Sequence, residues 1–154
     1  MNIITGMSRT QNQQTPGPKK NPDSKTILVI DDDRPTCLYF KTLLEFDGLH
    51  VETAFGGEEA LNLLKSEAHQ QFDLVILDLM MPGYGGYEVL KELQQPGYQD
   101  VPIFIETAHV LDQATVDLIN SESNVHGYWT KPIDTKEFKT KIHELLGTAP
   151  KEKQ

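Results

Sequence analysis

Cysteine is nearly missing from this chain: Cys37 is the only one in 154 residues. A lone cysteine makes no internal disulfide and cannot build a cysteine-based zinc site. Its neighbours have the spacing of an amphipathic helix, so Cys37 reads as a packing residue and not as a nucleophile. Basic residues are also scarce, with 14 Lys and Arg against 23 Asp and Glu and a formal charge of −9. Nonspecific nucleic-acid binding relies on a basic surface, so direct contact with DNA or RNA is not expected. No apolar run exceeds about five residues, against the roughly 20 that a membrane-spanning helix needs. The first residues lack the basic, apolar and small-residue regions of a secretory leader. The expected compartment is the cytoplasm.

Hydrophobic residues make up 38% of the chain, enough for one core. Residues 1–24 are rich in Asn, Gln, Thr, Pro and Lys and follow no structural period, so they read as a disordered tail. Thr148–Gln154 reads as a short polar tail. One domain is expected over residues 25–147.

Inside that domain, strands and helices alternate. Thr26–Ile30 reads as a buried strand, followed by a helix over Pro35–Phe46 with Gly48 as its stop signal. Leu49–Ala54 reads as the second strand and Gly57–Ala68 as the second helix. Asp73–Leu77 reads as a fully apolar third strand, and Pro82, Gly83, Gly85 and Gly86 mark a loop. A short helix over Gly86–Gln94 turns Tyr87, Leu90 and Leu93 inward. Val101–Ile105 is the fourth strand. A helix near Val110–Asn120 places Leu111, Ala114, Leu118 and Ile119 inward. Val125–Thr130 is the fifth strand, and Asp134–Leu146 is the last helix. Five strand–helix repeats with apolar strands imply a parallel sheet covered on both faces. Right-handed crossovers make the compact solution an α/β, flavodoxin-like, doubly wound five-stranded parallel sheet in the order 2-1-3-4-5.

In such sheets chemistry gathers at the carboxyl ends of the strands. Asp31, Asp32 and Asp33 follow the first strand, and Asp78 follows the third. Thr107 and Ala108 end the fourth, and Lys131 and Pro132 follow the fifth. The topology brings these positions to one crevice. Clustered carboxylates repel one another, and a hard divalent cation relieves them. All-oxygen ligands with open positions suit Mg²⁺. Lys131 adds a positive charge and Thr107 a hydroxyl. A carboxylate, a metal and a lysine are what in-line phosphoryl transfer to an acyl oxygen needs. By itself, Asp33 is also a good helix N-cap.

With those residues in place, the sequence from about Lys25 to Leu146 resembles the receiver domain of bacterial two-component response regulators. The resemblance rests on Ile27–Asp33, on Asp73–Gly83, on Thr107-Ala108 and on Tyr128–Pro132. It implies that Asp78 accepts a phosphoryl group from a sensor histidine kinase or a histidine phosphotransfer protein. It implies Mg²⁺ held by Asp31, Asp32 and Asp78, with the backbone carbonyl of Met80 completing the site. Thr107 matches the switch hydroxyl, Lys131 the lysine that pairs with the phosphoryl group, and Tyr128 the aromatic that follows the switch. The Lys131-Pro132 bond matches one that is cis in the family. A downstream effector would read the face made by the fourth helix, fifth strand and fifth helix. The domain would assist its own phosphorylation and dephosphorylation without being an enzyme in the usual sense. Glu106 departs from the pattern, because an apolar residue is common there. His109 reads as a solvated loop residue or as a group that tunes water access.

Two other readings compete. An aspartate-nucleophile phosphatase needs a second aspartate two residues after the first, and that position is Met80. A receiver-like module that acts without phosphorylation would commonly have lost an acidic or lysine position, and all of them are present. Few residues follow the last helix, so a stand-alone receiver with no membrane segment is the expectation.

Overall fold

The structure is a computed structural model and describes residues 24–66 and 72–151. The elements run β1 (Thr26–Ile30), α1 (Arg34–Phe46), β2 (His50–Ala54), α2 (Gly57–Lys65), β3 (Leu74–Asp78), α3 (Gly86–Glu92), β4 (Ile103–Thr107), α4 (Gln113–Ser121), β5 (Val125–Thr130) and α5 (Thr135–Leu146). The five strands form one parallel sheet in the order β2-β1-β3-β4-β5. The tail expected at 1–24 lies, apart from Ser24, outside the described residues. No helix among the described residues is long and apolar enough to cross a membrane.

β1, β3 and β4 are buried along their whole length. This is what apolar residues on both faces of a central parallel strand require. Side-chain alternation splits the core in two. Ile27, Val29, Ile76 and Phe104 pack with Phe40, Phe138 and Ile142 on the side of α1 and α5. Leu28, Ile30, Leu77 and Ile105 pack with Ala60, Val89 and Ile119 on the side of α2, α3 and α4. On the α5 side, Trp129 meets Phe138 edge-on at 4.8 Å and Phe104 at 4.7 Å. The outer strands differ: β5 alternates half-buried and exposed residues. At the other edge, Lys41 of α1 donates to the Val51 carbonyl of β2 at 3.0 Å.

Several helix expectations need correction. α4 begins at Gln113, later than Val110, because Asp112 is its N-cap and accepts the Thr115 N–H at 2.8 Å. Its inward face is carried by Thr115, Val116 and Ile119, while Ala114 and Leu118 are exposed. In α3, Val89 is buried and Tyr87 is exposed. α2 ends at Lys65, and Ala68 lies outside the described residues. α3 stops at Glu92, α5 starts one residue later at Thr135, and β3 is shifted by one residue to end on Asp78.

At the end remote from the carboxyl termini of the strands, α1 and α5 are joined by a polar cluster. Asp47, the C-cap of α1, has a fully buried side chain. Its Oδ2 accepts from Lys139 Nζ at 2.9 Å and pairs with His143 Nε2 at 2.8 Å, while its Oδ1 accepts the Lys151 N–H at 3.0 Å. His143 Nδ1 lies 2.7 Å from Thr148 Oγ1. Burial raises the Asp47 carboxyl, but the hydrogen bonds from Lys139, His143 and Lys151 outweigh it and hold the group below its ordinary range.

Candidate functional site

Strand ends and the turns after them place the polar groups. β1 runs directly into Asp31, whose N–H bonds the Ala54 carbonyl at 3.1 Å and continues the sheet for one more residue. The chain then turns into α1, and Asp33 caps that helix by accepting the Thr36 N–H at 3.1 Å. The Asp33 N–H in turn donates to Asp31 Oδ1 at 2.9 Å. Asp31 is fully buried and Asp32 is exposed. Asp78 ends β3, and its Oδ1 accepts the Met80 N–H at 3.0 Å. The loop after it must pass close by: a Cβ on Gly86 would stand 2.3 Å from the Asp78 carbonyl oxygen.

Asp31, Asp32 and Asp78 each offer a carboxylate oxygen, and these oxygens lie within 4.8 Å of one another. Such a set fits a hard divalent cation. Lys131 reaches the same place from β5. Its Nζ is 2.8 Å from Asp31 Oδ2, 3.7 Å from Asp78 Oδ2 and 3.9 Å from Glu106 Oε1. The Lys131-Pro132 bond is cis. The Lys131 N–H bonds the Thr107 carbonyl at 2.7 Å, which ties the lysine to the end of β4.

The electrostatics divide the acids. Burial raises Asp78 above the usual carboxylate range, and the nearby Asp31 charge adds to this, against the Met80 N–H and Lys131. Burial also raises Asp31, but hydrogen bonds from Glu106, Lys131 and the Asp33 N–H prevail and hold it low. Glu106 is fully buried, and burial together with Asp31 pushes it up to about 9. Lys131 is held above its usual value: burial opposes the charge, while Asp31, Glu106 and Asp78 favour it more strongly. Burial lifts the Cys37 thiol to about 12, as befits a packed side chain that donates to the Asp31 carbonyl at 3.3 Å.

The structure therefore brings Asp31, Asp32, Asp78 and Lys131 together. Thr107 is fully buried at the end of β4, and its hydroxyl accepts the His109 N–H at 3.2 Å. Tyr128 is exposed on β5. The Met80 side chain is exposed as well, so what that position gives the site is its backbone. The role of Glu106 was not legible beforehand. The one signal was an acid closing the apolar run of β4.

Comparison with known proteins agrees with this geometry. The family model described as the response regulator receiver domain matches residues 27–143. "Response regulator MprA" of Mycolicibacterium vanbaalenii is 36% identical over 120 residues, covering 78% of this chain and 49% of that protein. A "probable transcriptional regulator ycf27" of Guillardia theta is 37% identical, covering 78% of this chain and 44% of its own length. The chain thus spans about half the length of the curated relatives it matches. Among solved structures, the receiver domain of the Francisella response regulator 1452 is 30% identical with a TM-score of 0.68, covering 80% of this chain and 98% of that one. A CheY-like receiver domain protein from Methanospirillum hungatei is 28% identical with a TM-score of 0.69, covering 80% and 94%. With its sheet order, its acidic cluster, the lysine beside it and a family match over most of its length, this chain belongs to the response regulator receiver domain family of two-component systems.

Proposed function

We propose that Asp78 takes a phosphoryl group from a phosphohistidine on a sensor histidine kinase or a histidine phosphotransfer protein. The observation that carries this is Asp78 at the strand end, with Asp31 and Asp32 oxygens within 4.8 Å and Lys131 at 3.7 Å. A receiver domain is a signalling module and not a conventional enzyme, and phosphorylation and Mg²⁺ binding are general features of the family. In the step itself an Asp78 carboxylate oxygen attacks phosphorus. The bond from phosphorus to the histidine nitrogen breaks, and its electron pair leaves with the imidazole. The Met80 N–H on Oδ1 holds the carboxylate in orientation and leaves Oδ2 free to attack.

Asp31, Asp32, Asp78 and the Met80 carbonyl are the proposed holders of Mg²⁺, whose bound charge would neutralise the incoming phosphoryl oxygens. Lys131 supplies the second positive charge. The acyl phosphate adds charge and acceptor oxygens, toward which the Thr107 hydroxyl and the Lys131 ammonium move. Tyr128 follows that movement, and α4, β5 and α5 present a changed face to a downstream effector. The same groups assist phosphorylation and the later hydrolysis. The reading places the receiver, residues 25–147, in the cytoplasm, where it acts by changing its contacts with a partner protein.

The test is intact mass spectrometry after incubation with a small acyl phosphate, with and without Mg²⁺, in wild type and Asp78→Asn. The expected result is a Mg²⁺-dependent gain of one phosphoryl group that Asp78→Asn abolishes. The reading fails if wild type gains none and if Mg²⁺ with a beryllofluoride phosphoryl mimic leaves Trp129 fluorescence unchanged. The protein is then a receiver-like interaction module that works without phosphorylation.

A further inference from the structure

Glu106 is the penultimate residue of β4, and the strand residues before it, Ile103, Phe104 and Ile105, are all apolar and buried. It is itself fully buried; its carboxyl group shares a proton with Asp31, but neither of its oxygens receives an N–H or hydroxyl donor. Removing such a group from water without a donor is costly, so its surroundings should explain its presence. In the sheet register Glu106 is the direct neighbour of Asp78 on β3 and of Trp129 on β5. Neighbours in register point to the same face, so Glu106 lies beside Asp78 on the α1–α5 side. The nearest cation is the Lys131 ammonium, 3.9 Å from Oε1. That ammonium spends its short contact, 2.8 Å, on Asp31.

Asp31 is also one of the three acids in the cation cluster. A divalent cation and an ammonium drawn to one carboxylate repel each other. The lysine must give way or the cation binds weakly. Lys131 has three donors on a flexible four-carbon stem. A cleft of about 400 Å³ borders both Lys131 and Glu106, with Tyr39, Phe40 and Pro132 among its walls. There is room for the ammonium to swing.

We propose that Glu106 is a positioning residue for Lys131, giving its ammonium a second acceptor beside Asp78 when a divalent cation takes Asp31. The ammonium is then neither expelled to solvent nor left competing for Asp31, and it stays within reach of Asp78. This rests on the receiver reading above for the identity of the cation site.

The test measures Mg²⁺ affinity by calorimetry and by Trp129 fluorescence, so it needs no phosphoryl transfer. Glu106→Leu puts an apolar side chain in an apolar strand and should fold, as circular dichroism will verify. It is expected to weaken Mg²⁺ binding about tenfold, whereas Glu106→Gln, which keeps an acceptor oxygen at the same reach, should stay within about threefold of wild type. In a Lys131→Met background there is no ammonium to reseat, and Glu106→Leu should change affinity by less than about twofold. The proposal is overturned if Glu106→Leu binds Mg²⁺ as wild type does. It is equally overturned if the loss persists in the Lys131→Met background, because Glu106 would then act on the fold alone. A wild-type chain that binds Mg²⁺ but accepts no phosphoryl group refutes the receiver chemistry and leaves these affinities to be read as stated. One that binds no Mg²⁺ overturns both.

Discussion

Asp78→Asn should make the metal-free protein more stable. The Asp78 and Asp31 carboxylate oxygens lie within 4.8 Å, and two unit charges at that separation repel by about 3.5 kcal/mol at an effective dielectric constant of ~20. Lys131 stands 3.7 Å from Asp78 and attracts by about 4.5 kcal/mol on the same arithmetic. That ammonium is closer to Asp31, however, at 2.8 Å. The two charge effects nearly cancel, and the cost of burying the Asp78 charge is left uncompensated. This agrees with a carboxyl held above its usual range chiefly by burial.

The amide keeps the shape and the acceptor for the Met80 N–H while removing the charge. The expected gain is about 1–2 kcal/mol, or roughly 4–8 °C in melting temperature for a domain of this size. A group raised in the folded state is fully compatible with folding below its unfolded pKa and opposes folding as pH rises through its folded value. The advantage of Asp78→Asn is therefore present at neutral pH and vanishes below about pH 4. Mg²⁺ narrows the gap: at ten times its dissociation constant it adds about 1.4 kcal/mol to wild type, and it adds less to the variant. Thermal unfolding with EDTA and with Mg²⁺, at neutral and at acid pH, tests all of this. The argument is refuted if Asp78→Asn is no more stable than wild type in EDTA, or if Mg²⁺ raises both equally.

Further expectations concern other parts of the molecule. Asp47→Ala strands Lys139, His143 and the Lys151 N–H without their buried acceptor, and should cost about 3–4 kcal/mol in urea unfolding; a loss under about 1 kcal/mol contradicts the clamp. Asp47 is held low in the folded state, so its contribution is present above the unfolded pKa near 3.8 and is lost as pH falls through the lower folded value, shrinking the gap between variant and wild type. Phe138→Ala removes the ring that Phe40, Phe104 and Trp129 share and should destabilise by about 3–5 kcal/mol on chemical denaturation. Gly86→Ala drives a methyl into the Asp78 and Leu79 backbone. It should cost about 1–3 kcal/mol and slow phosphorylation of Asp78 as well, and unchanged kinetics would count against the close packing of that loop.

The sheet order could be read from five apolar strands and five helical connectors, because burial on both faces leaves few other arrangements. The acidic cluster was legible for the same reason. Asp31 and Asp78 each follow an apolar run directly, and parallel topology puts those ends side by side. Helix faces were less legible. The spacing of Leu111, Ala114 and Leu118 looks periodic, yet Asp112 caps the helix after Leu111, and the face that packs inward carries Thr115, Val116 and Ile119 and leaves Ala114 and Leu118 in solvent. Tyr87 was placed inward with Leu90 and Leu93, but the buried face of α3 carries Val89 and Leu90 and leaves Tyr87 exposed. The Asp47–His143 pairing joins residues 96 apart in sequence, and no local pattern announces it. Glu106 stood out as an anomaly, but the burial and the lysine that give it meaning appear only in three dimensions.

The hydrogen bond from Lys41 to the Val51 carbonyl has a consequence for self-association. An edge strand with free backbone groups is a template to which another extended chain can add, and native proteins often use lysine to prevent it. Lys41 occupies an acceptor on the β2 edge, so strand addition there must first break a formed contact. The β2 edge is thus blunted against growth by a lysine that the helix packed beside it supplies.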